Sequence, residues 1–78
     1  MENKELEKFV SGFAEQFDDT EQSEITSATN FKELDEWSSL VGMSVIAFIK
    51  TAYDKTVTGK EIRACETVED LFNLVFSK

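Results

Sequence analysis

The residue most suited to chemistry in this sequence is Ser39, which stands where an acidic stretch turns into an apolar one. Glu33, Asp35 and Glu36 precede it, and Leu40 opens the apolar run that follows. A serine hydroxyl at a helix start can act as an N-cap by accepting a hydrogen bond from a helix amide. The same position suits a phosphodiester, because free amides and the positive end of the helix dipole stabilise phosphate charge. Both interpretations, a plain cap and a modified hydroxyl, are open at this point.

Catalysis by the chain itself is poorly supported. There is no His, and the single cysteine, Cys65, has no evident activating base, so a nucleophile with its usual base cannot be assembled. A mechanism with paired carboxylates needs a cleft, and 78 residues leave little room for one. We therefore expect that the protein is not an enzyme.

An acidic run over residues 18–24 is the only feature that suggests a metal site. It lacks the alternating acids and central glycine of a calcium loop. Solvated surface explains it better, and an acidic metal-binding protein is the third and weakest hypothesis. We predict no metal ligands.

The charge balance narrows the range of partners. Sixteen acids against eight bases give a net charge of −8, which disfavours nucleic acids and anionic membranes because both need clustered basic residues. An acidic surface steers basic protein partners into encounter, although solubility alone also explains it. The length indicates one domain over residues 1–78, and 41% hydrophobic residues with seven Phe are enough to fold it.

The expected location is the cytoplasm. A single Cys cannot form an internal disulfide, no apolar stretch reaches membrane-spanning length, and the N-terminus does not resemble a signal peptide. We expect a monomer.

Apolar periodicity predicts an all-α fold, a small four-helix bundle with a long first loop and a short third helix. The first helix has an apolar face and Asn3 as its N-cap, and Asp18 ends the pattern. No period persists from there to Ser38, so this stretch is predicted to be a loop anchored by isolated apolar residues. The helix face comprises Leu6, Phe9, Val10, Phe13, Ala14 and Phe17, and the loop anchors are Ile25, Phe31, Leu34 and Trp37.

The second helix is predicted over residues 39–53, with one apolar arc in the core and an opposite arc that contains no acid. Two capping boxes follow, Thr58 with Glu61 and Thr67 with Asp70, and they open the third and fourth helices. The core arc comprises Val41, Val45, Phe48, Ile49, Ala52 and Tyr53, with Ile46 at its edge.

Four ordered segments resemble the acyl carrier protein family over nearly the whole chain. They are the loop segment 29–34, the pair Ser39-Leu40 at the start of the second helix, the apolar end of that helix at 48–54, and the segment 67–71 that opens the last helix. The resemblance implies that Ser39 carries phosphopantetheine, transferred from coenzyme A by a phosphopantetheinyl transferase. It also implies that acyl intermediates are held as thioesters and delivered to acyl-transferring and chain-elongating enzymes.

Two departures from the family pattern refine this expectation. Ser38 replaces the acid that usually precedes the modified serine, and it becomes a second candidate hydroxyl. The arc of the second helix opposite the core lacks the acids of fatty-acid carriers. Docking of partner enzymes should therefore depend more on apolar burial than on charge, and a specialised acyl or peptidyl pathway is favoured. The alternative is an unmodified acidic interaction module related to carriers. The predicted partner-binding residues are Leu40, Val41, Met43, Ser44, Ala47, Lys50 and Thr51.

Overall fold

Four α-helices and two short 3₁₀ turns form the part of the chain that the structure, a computed structural model, describes, residues 4–78. This confirms the predicted small all-α bundle with its long first connection and short third helix. Asn3, the predicted first N-cap, lies outside the described residues. The helices are α1 (Lys4–Ala14), α2 (Ser39–Tyr53), α3 (Gly59–Ala64) and α4 (Val68–Phe76), and the 3₁₀ turns in the first connection are Gln22–Glu24 and Phe31–Glu33.

The apolar face of α1 enters the core as its spacing predicts. Phe9 and Phe13 are fully buried, and the ring of Phe9 meets those of Tyr53 and Phe72 at centroid distances of 5.7 and 5.6 Å. The helix ends three residues before Phe17, whose amide donates to the Ala14 carbonyl in a tighter turn. This turn keeps the Phe17 side chain buried after the helix has ended.

The long first connection is anchored by apolar residues, as predicted. Ile25 and Phe31 are buried, and Leu34 and Trp37 pack partly buried against the core. The connection also binds the start of α4, since the amide of Val68 donates to the Thr29 carbonyl at 3.2 Å. The backbone polar groups of this loop are thus partly satisfied by another element.

Helix α2 has the predicted bounds and most of the predicted core arc. Its buried residues are Val41, Val45 and Ile49. The prediction that Ala52 lies in the core is wrong, because this residue is exposed. The helix ends at Asp54, which adopts a left-handed conformation (φ 55°) and donates its amide to the Lys50 carbonyl at 3.0 Å. Aspartate is among the few residues that tolerate this conformation.

Both predicted capping boxes are present. The side chain of Thr58 accepts from the amide of Glu61 at 3.1 Å, and the Glu61 carboxylate accepts from the amide of Thr58 at 3.0 Å. Thr67 and Asp70 make the same reciprocal pair at the start of α4. These boxes fix where two short helices begin, which matters because helices of six and nine residues cannot stand alone. No helix within residues 4–78 is long and apolar enough to cross a membrane.

Candidate functional site

Two adjacent serines at the start of α2 have different roles. Ser38 is extended (φ −155°, ψ 174°) and its Oγ accepts a hydrogen bond from the amide of Val41 at 3.3 Å. Its carbonyl accepts from the amide of Gly42 at 2.9 Å. Ser38 is therefore the N-cap, and Ser39 is the first residue of the helix.

The hydroxyl of Ser39 is available to another molecule. Its side chain is exposed, and its Oγ makes no hydrogen bond within the described chain. The backbone amides of Ser39 and Leu40 likewise have no partner among residues 4–78. An exposed hydroxyl beside two free amides at the positive end of a 15-residue helix suits a negatively charged substituent.

A cleft of about 260 Å³ opens beside Ser39, between α2 and α3. Gly42 and Gly59 have no side chains to narrow it, and Trp37 forms one wall from the end of the loop. Its other apolar lining comes from Met43 on α2 and Ile62 on α3. The full lining is Trp37, Ser38, Ser39, Gly42, Met43, Ile46, Gly59, Ile62 and Arg63.

The indole of Trp37 is held by aromatic contacts. Its centroid lies 4.8 Å from that of Phe31 in an edge-on arrangement and 6.2 Å from that of Phe17 in a stacked one. Such pairs add stability beyond area burial. One wall of the cleft is therefore packed against the aromatic core.

The segment entering α2 is fixed by Glu36. Its carboxylate accepts hydrogen bonds from the amides of Asp18, Asp19 and Thr20 at 2.7, 3.0 and 2.9 Å, and from the Thr20 hydroxyl at 2.8 Å. Desolvation opposes ionisation, but these four bonds together lower the pKa of Glu36 below its ordinary value. The start of the loop is thereby tied to its end, two residues before Ser38.

The far wall, α3, is held from both ends. Its N-terminus has the Thr58 capping box, and its last turn receives the Lys32 ammonium, whose Nζ donates to the Arg63 carbonyl at 2.9 Å. Cys65 follows the helix and is buried, and burial raises the pKa of its thiol, with a further contribution from the Asp70 charge. This thiol is a core group without activation.

The residues predicted to bind partners divide into two groups. Leu40 and Met43 are 75% and 66% exposed and flank Ser39. The prediction that Val41 contacts partners is wrong, because only 9% of this residue is exposed and it belongs to the core. Its burial agrees with its place on the predicted core arc of α2.

The other predicted contact residues lie further along α2. Ser44 is half-buried and its Oγ donates to the Leu40 carbonyl at 3.3 Å, while Ala47 and Thr51 are exposed. These three line a second, shallow groove together with Gln16 and Phe48. Lys50, also exposed, pairs with Asp54 at 3.2 Å. The outer face of α2 therefore consists of an apolar end near Ser39 and a separate groove toward α1.

Helix α3 contributes three residues to the cleft that were not predicted as site residues. Gly59, Ile62 and Arg63 stand at i, i+3 and i+4, the spacing of one helical face, so the pattern was visible. That this face meets α2 rather than α1 is set by tertiary packing. Trp37 was predicted as a loop anchor, and it also forms part of the site.

Within residues 4–78, no group of three or more acidic or cysteine side chains is placed to hold a metal ion. Comparisons of the chain with protein-family models, with curated proteins and with solved structures give no match.

Proposed function

We propose that this chain is an acyl carrier protein and that phosphopantetheine is attached to the hydroxyl of Ser39. The observation that carries the proposal is the division of roles between the two serines. Ser38 caps α2 in place of an acid, and this leaves the hydroxyl of Ser39 exposed and without a partner in the described chain. The resemblance in four ordered segments supports the same assignment.

The residues around Ser39 fit a phosphodiester with an apolar group beyond it. The free amides of Ser39 and Leu40 can donate to phosphate oxygens. The cleft beside them offers Trp37, Met43 and Ile62 as an apolar surface, which would shield part of a bound acyl group from water. When bound, phosphopantetheine supplies a terminal thiol on which acyl groups are carried as thioesters.

The chain itself provides the attachment point for the arm, an apolar surface beside it and exposed side chains for partner enzymes. In the modification, the Ser39 oxygen forms a bond to phosphorus, its proton is released, and the nucleotide half of coenzyme A leaves. Leu40 and Met43, beside this point, offer apolar area to acyl-transferring and chain-elongating enzymes. The absence of acids from α2 favours a dedicated acyl pathway over the general fatty-acid one.

An unmodified interaction module is the second candidate. The exposed Leu40 and Met43 favour it, because an apolar patch of this kind suits protein contact without any attached group. It differs from the first candidate in needing no chemistry at Ser39.

Intact mass after incubation with coenzyme A and a broad-specificity phosphopantetheinyl transferase tests the proposal. We expect a gain of one phosphopantetheinyl unit, which Ser39→Ala abolishes. Ser38→Asp is the matched control, because Asp caps a helix as well as Ser does and restores the acid usual in the family. The control should be modified at least as fast as the unaltered chain. No mass gain with any of several transferases would leave the interaction module as the better description.

A further inference from the structure

Arg63 is the one charged residue that lines the cleft beside Ser39. None of the nine lining residues is an acid, although the chain contains sixteen. We infer that the Arg63 guanidinium is an anion-binding group in this cleft, and that it recognises a phosphate or carboxylate carried by the group attached to Ser39. This inference rests on the proposed function, which brings that group to the cleft.

The guanidinium of Arg63 has no counter-ion among residues 4–78. The ion pairs among residues 4–78 are Lys50 with Asp54 and Lys78 with Glu61. Glu61, the only acid in α3, has its carboxylate taken by Lys78 at 2.8 Å and by the amide of Thr58 at 3.0 Å. An unpaired cation in a protein of net charge −8 is available to an external anion.

Gly59 lies beside this guanidinium. The backbone there does not require glycine, because no described glycine has a positive φ. A Cβ added at Gly59 would lie 3.4 Å from Nη1 of Arg63, at the near limit of ordinary van der Waals contact. The guanidinium therefore lies next to the first residue of α3, which is another lining residue of the cleft.

The size of the cleft limits what the anion can be attached to. Its volume of about 260 Å³ is less than twice the roughly 150 Å³ of a cavity that holds benzene, so it accommodates on the order of ten heavy atoms. That suits a short acyl group ending in a carboxylate, or the phosphate of the arm with a few atoms beyond it. Guanidinium binds both anions through paired N–H donors.

Titration of the unmodified protein with free probes tests the inference and distinguishes the two sources. The probes are pantetheine and butyryl-pantetheine, which carry no anion, phosphopantetheine, which carries the phosphate, and succinyl-pantetheine, which carries a terminal carboxylate. Trp37 is the only Trp and lines the cleft, so its fluorescence reports occupancy, and the Nε–H signal of Arg63 reports the contact directly. Attachment to Ser39 is not needed, so the result is independent of the proposed function.

We expect an anionic probe to bind about threefold to fivefold more tightly than its neutral counterpart, the range of an exposed ion pair. Arg63→Gln should abolish this preference, Arg63→Lys should retain part of it, and Lys60→Gln should retain all of it. Lys60 is the matched control, since it is exposed on the same helix, carries the same charge and does not line the cleft.

The probe whose tighter binding depends on Arg63 identifies the source of the anion. A preference for phosphopantetheine alone indicates the phosphodiester of the arm, a preference for succinyl-pantetheine alone indicates a dicarboxylic cargo, and both indicate a general anion site. Equal effects of Arg63→Gln and Lys60→Gln overturn the inference. So does the lack of any anion preference up to about 50 mM, because a tethered group reaches only millimolar effective concentration.

Discussion

The Oγ of Ser38 accepts the amide of Val41 at 3.3 Å, and this contact determines what the next residue can do. A helix start has several amides to satisfy, and one serine satisfies the amide that a cap normally reaches. Ser39 is then one position inside the helix, with its hydroxyl directed to no described partner. Ser38 therefore caps the helix and leaves the hydroxyl of Ser39 outside the cap.

Removing this cap should cost stability, and removing the neighbouring hydroxyl should not. We expect Ser38→Ala to lower the free energy of unfolding by about 1 kcal/mol, which lowers Tm by about 4–8 °C in a domain of this size. Ser39→Ala should stay within about 0.5 kcal/mol of the unaltered chain. Thermal and urea unfolding measure both. Equal losses for the two variants would show that both hydroxyls cap the helix.

Much of the fold follows from local sequence signals. The boxes at Thr58 and Thr67 fix two helix starts because each satisfies two amides through residues three apart. The face of α1 is equally clear, since six apolar residues repeat at helical spacing. These signals need no knowledge of neighbouring elements.

The errors in sequence prediction come from tertiary neighbours. Val41 and Ala52 both lie on the predicted core arc of α2, yet Val41 is buried and Ala52 is exposed. Angular position on a helix defines a face but does not say how far the packing against it extends. The cleft was missed for the same reason, because it requires α3 to pack beside Ser39, and no local pattern states which helices meet.

Two helical glycines should respond in opposite directions to alanine. A Cβ at Gly12 would overlap the ring of Phe48, whereas one at Gly42 would lie 3.7 Å from Trp37 in ordinary contact. Alanine gains about 1 kcal/mol over glycine in a helix, and overpacking costs about 1–3 kcal/mol. We expect Gly42→Ala to raise the unfolding free energy by about 0.5–1 kcal/mol and Gly12→Ala to lower it. Chemical denaturation of the pair checks this, and stabilisation by both would mean that Phe48 moves aside at little cost.

Stability should fall on acidification through carboxylates that accept backbone hydrogen bonds. Hydrogen bonds from the amides of Thr67 and Glu66 lower the pKa of Asp70 below its ordinary value. The folded state therefore binds this proton less readily than the unfolded state, so the stabilisation is complete above the ordinary carboxyl pKa of about 4 and is lost as pH falls through the lowered one. Tm measured from pH 7 to about pH 2 should show this fall.

Asp70→Asn isolates that contribution. The amide oxygen can still accept both backbone hydrogen bonds but does not titrate, so the fall in Tm below about pH 4 should become shallower. Glu69→Gln removes the same charge from the same helix turn and is the control, because its carboxylate makes no hydrogen bond within residues 4–78. An identical pH dependence of Tm in the two variants would show that the capping carboxylate of Asp70 is not the cause of the fall.

Docking on α2 should depend on apolar burial more than on charge. Leu40 is 75% exposed beside Ser39, and no acid lies anywhere in the helix. Complete burial of a leucine side chain is worth about 1.5–3 kcal/mol, so Leu40→Ala should lower kcat/KM for modification by a transferase about tenfold while leaving Tm unchanged. Lys60→Ala is the control, because it removes an exposed charge that lies outside α2 and outside the predicted partner-binding residues. Raising the salt concentration from about 50 to 300 mM should change the rate with the unaltered chain by less than about twofold, since screening weakens charge steering and not burial. A steep salt dependence combined with an inert Leu40→Ala would mean that the acidic residues outside α2 guide the transferase instead.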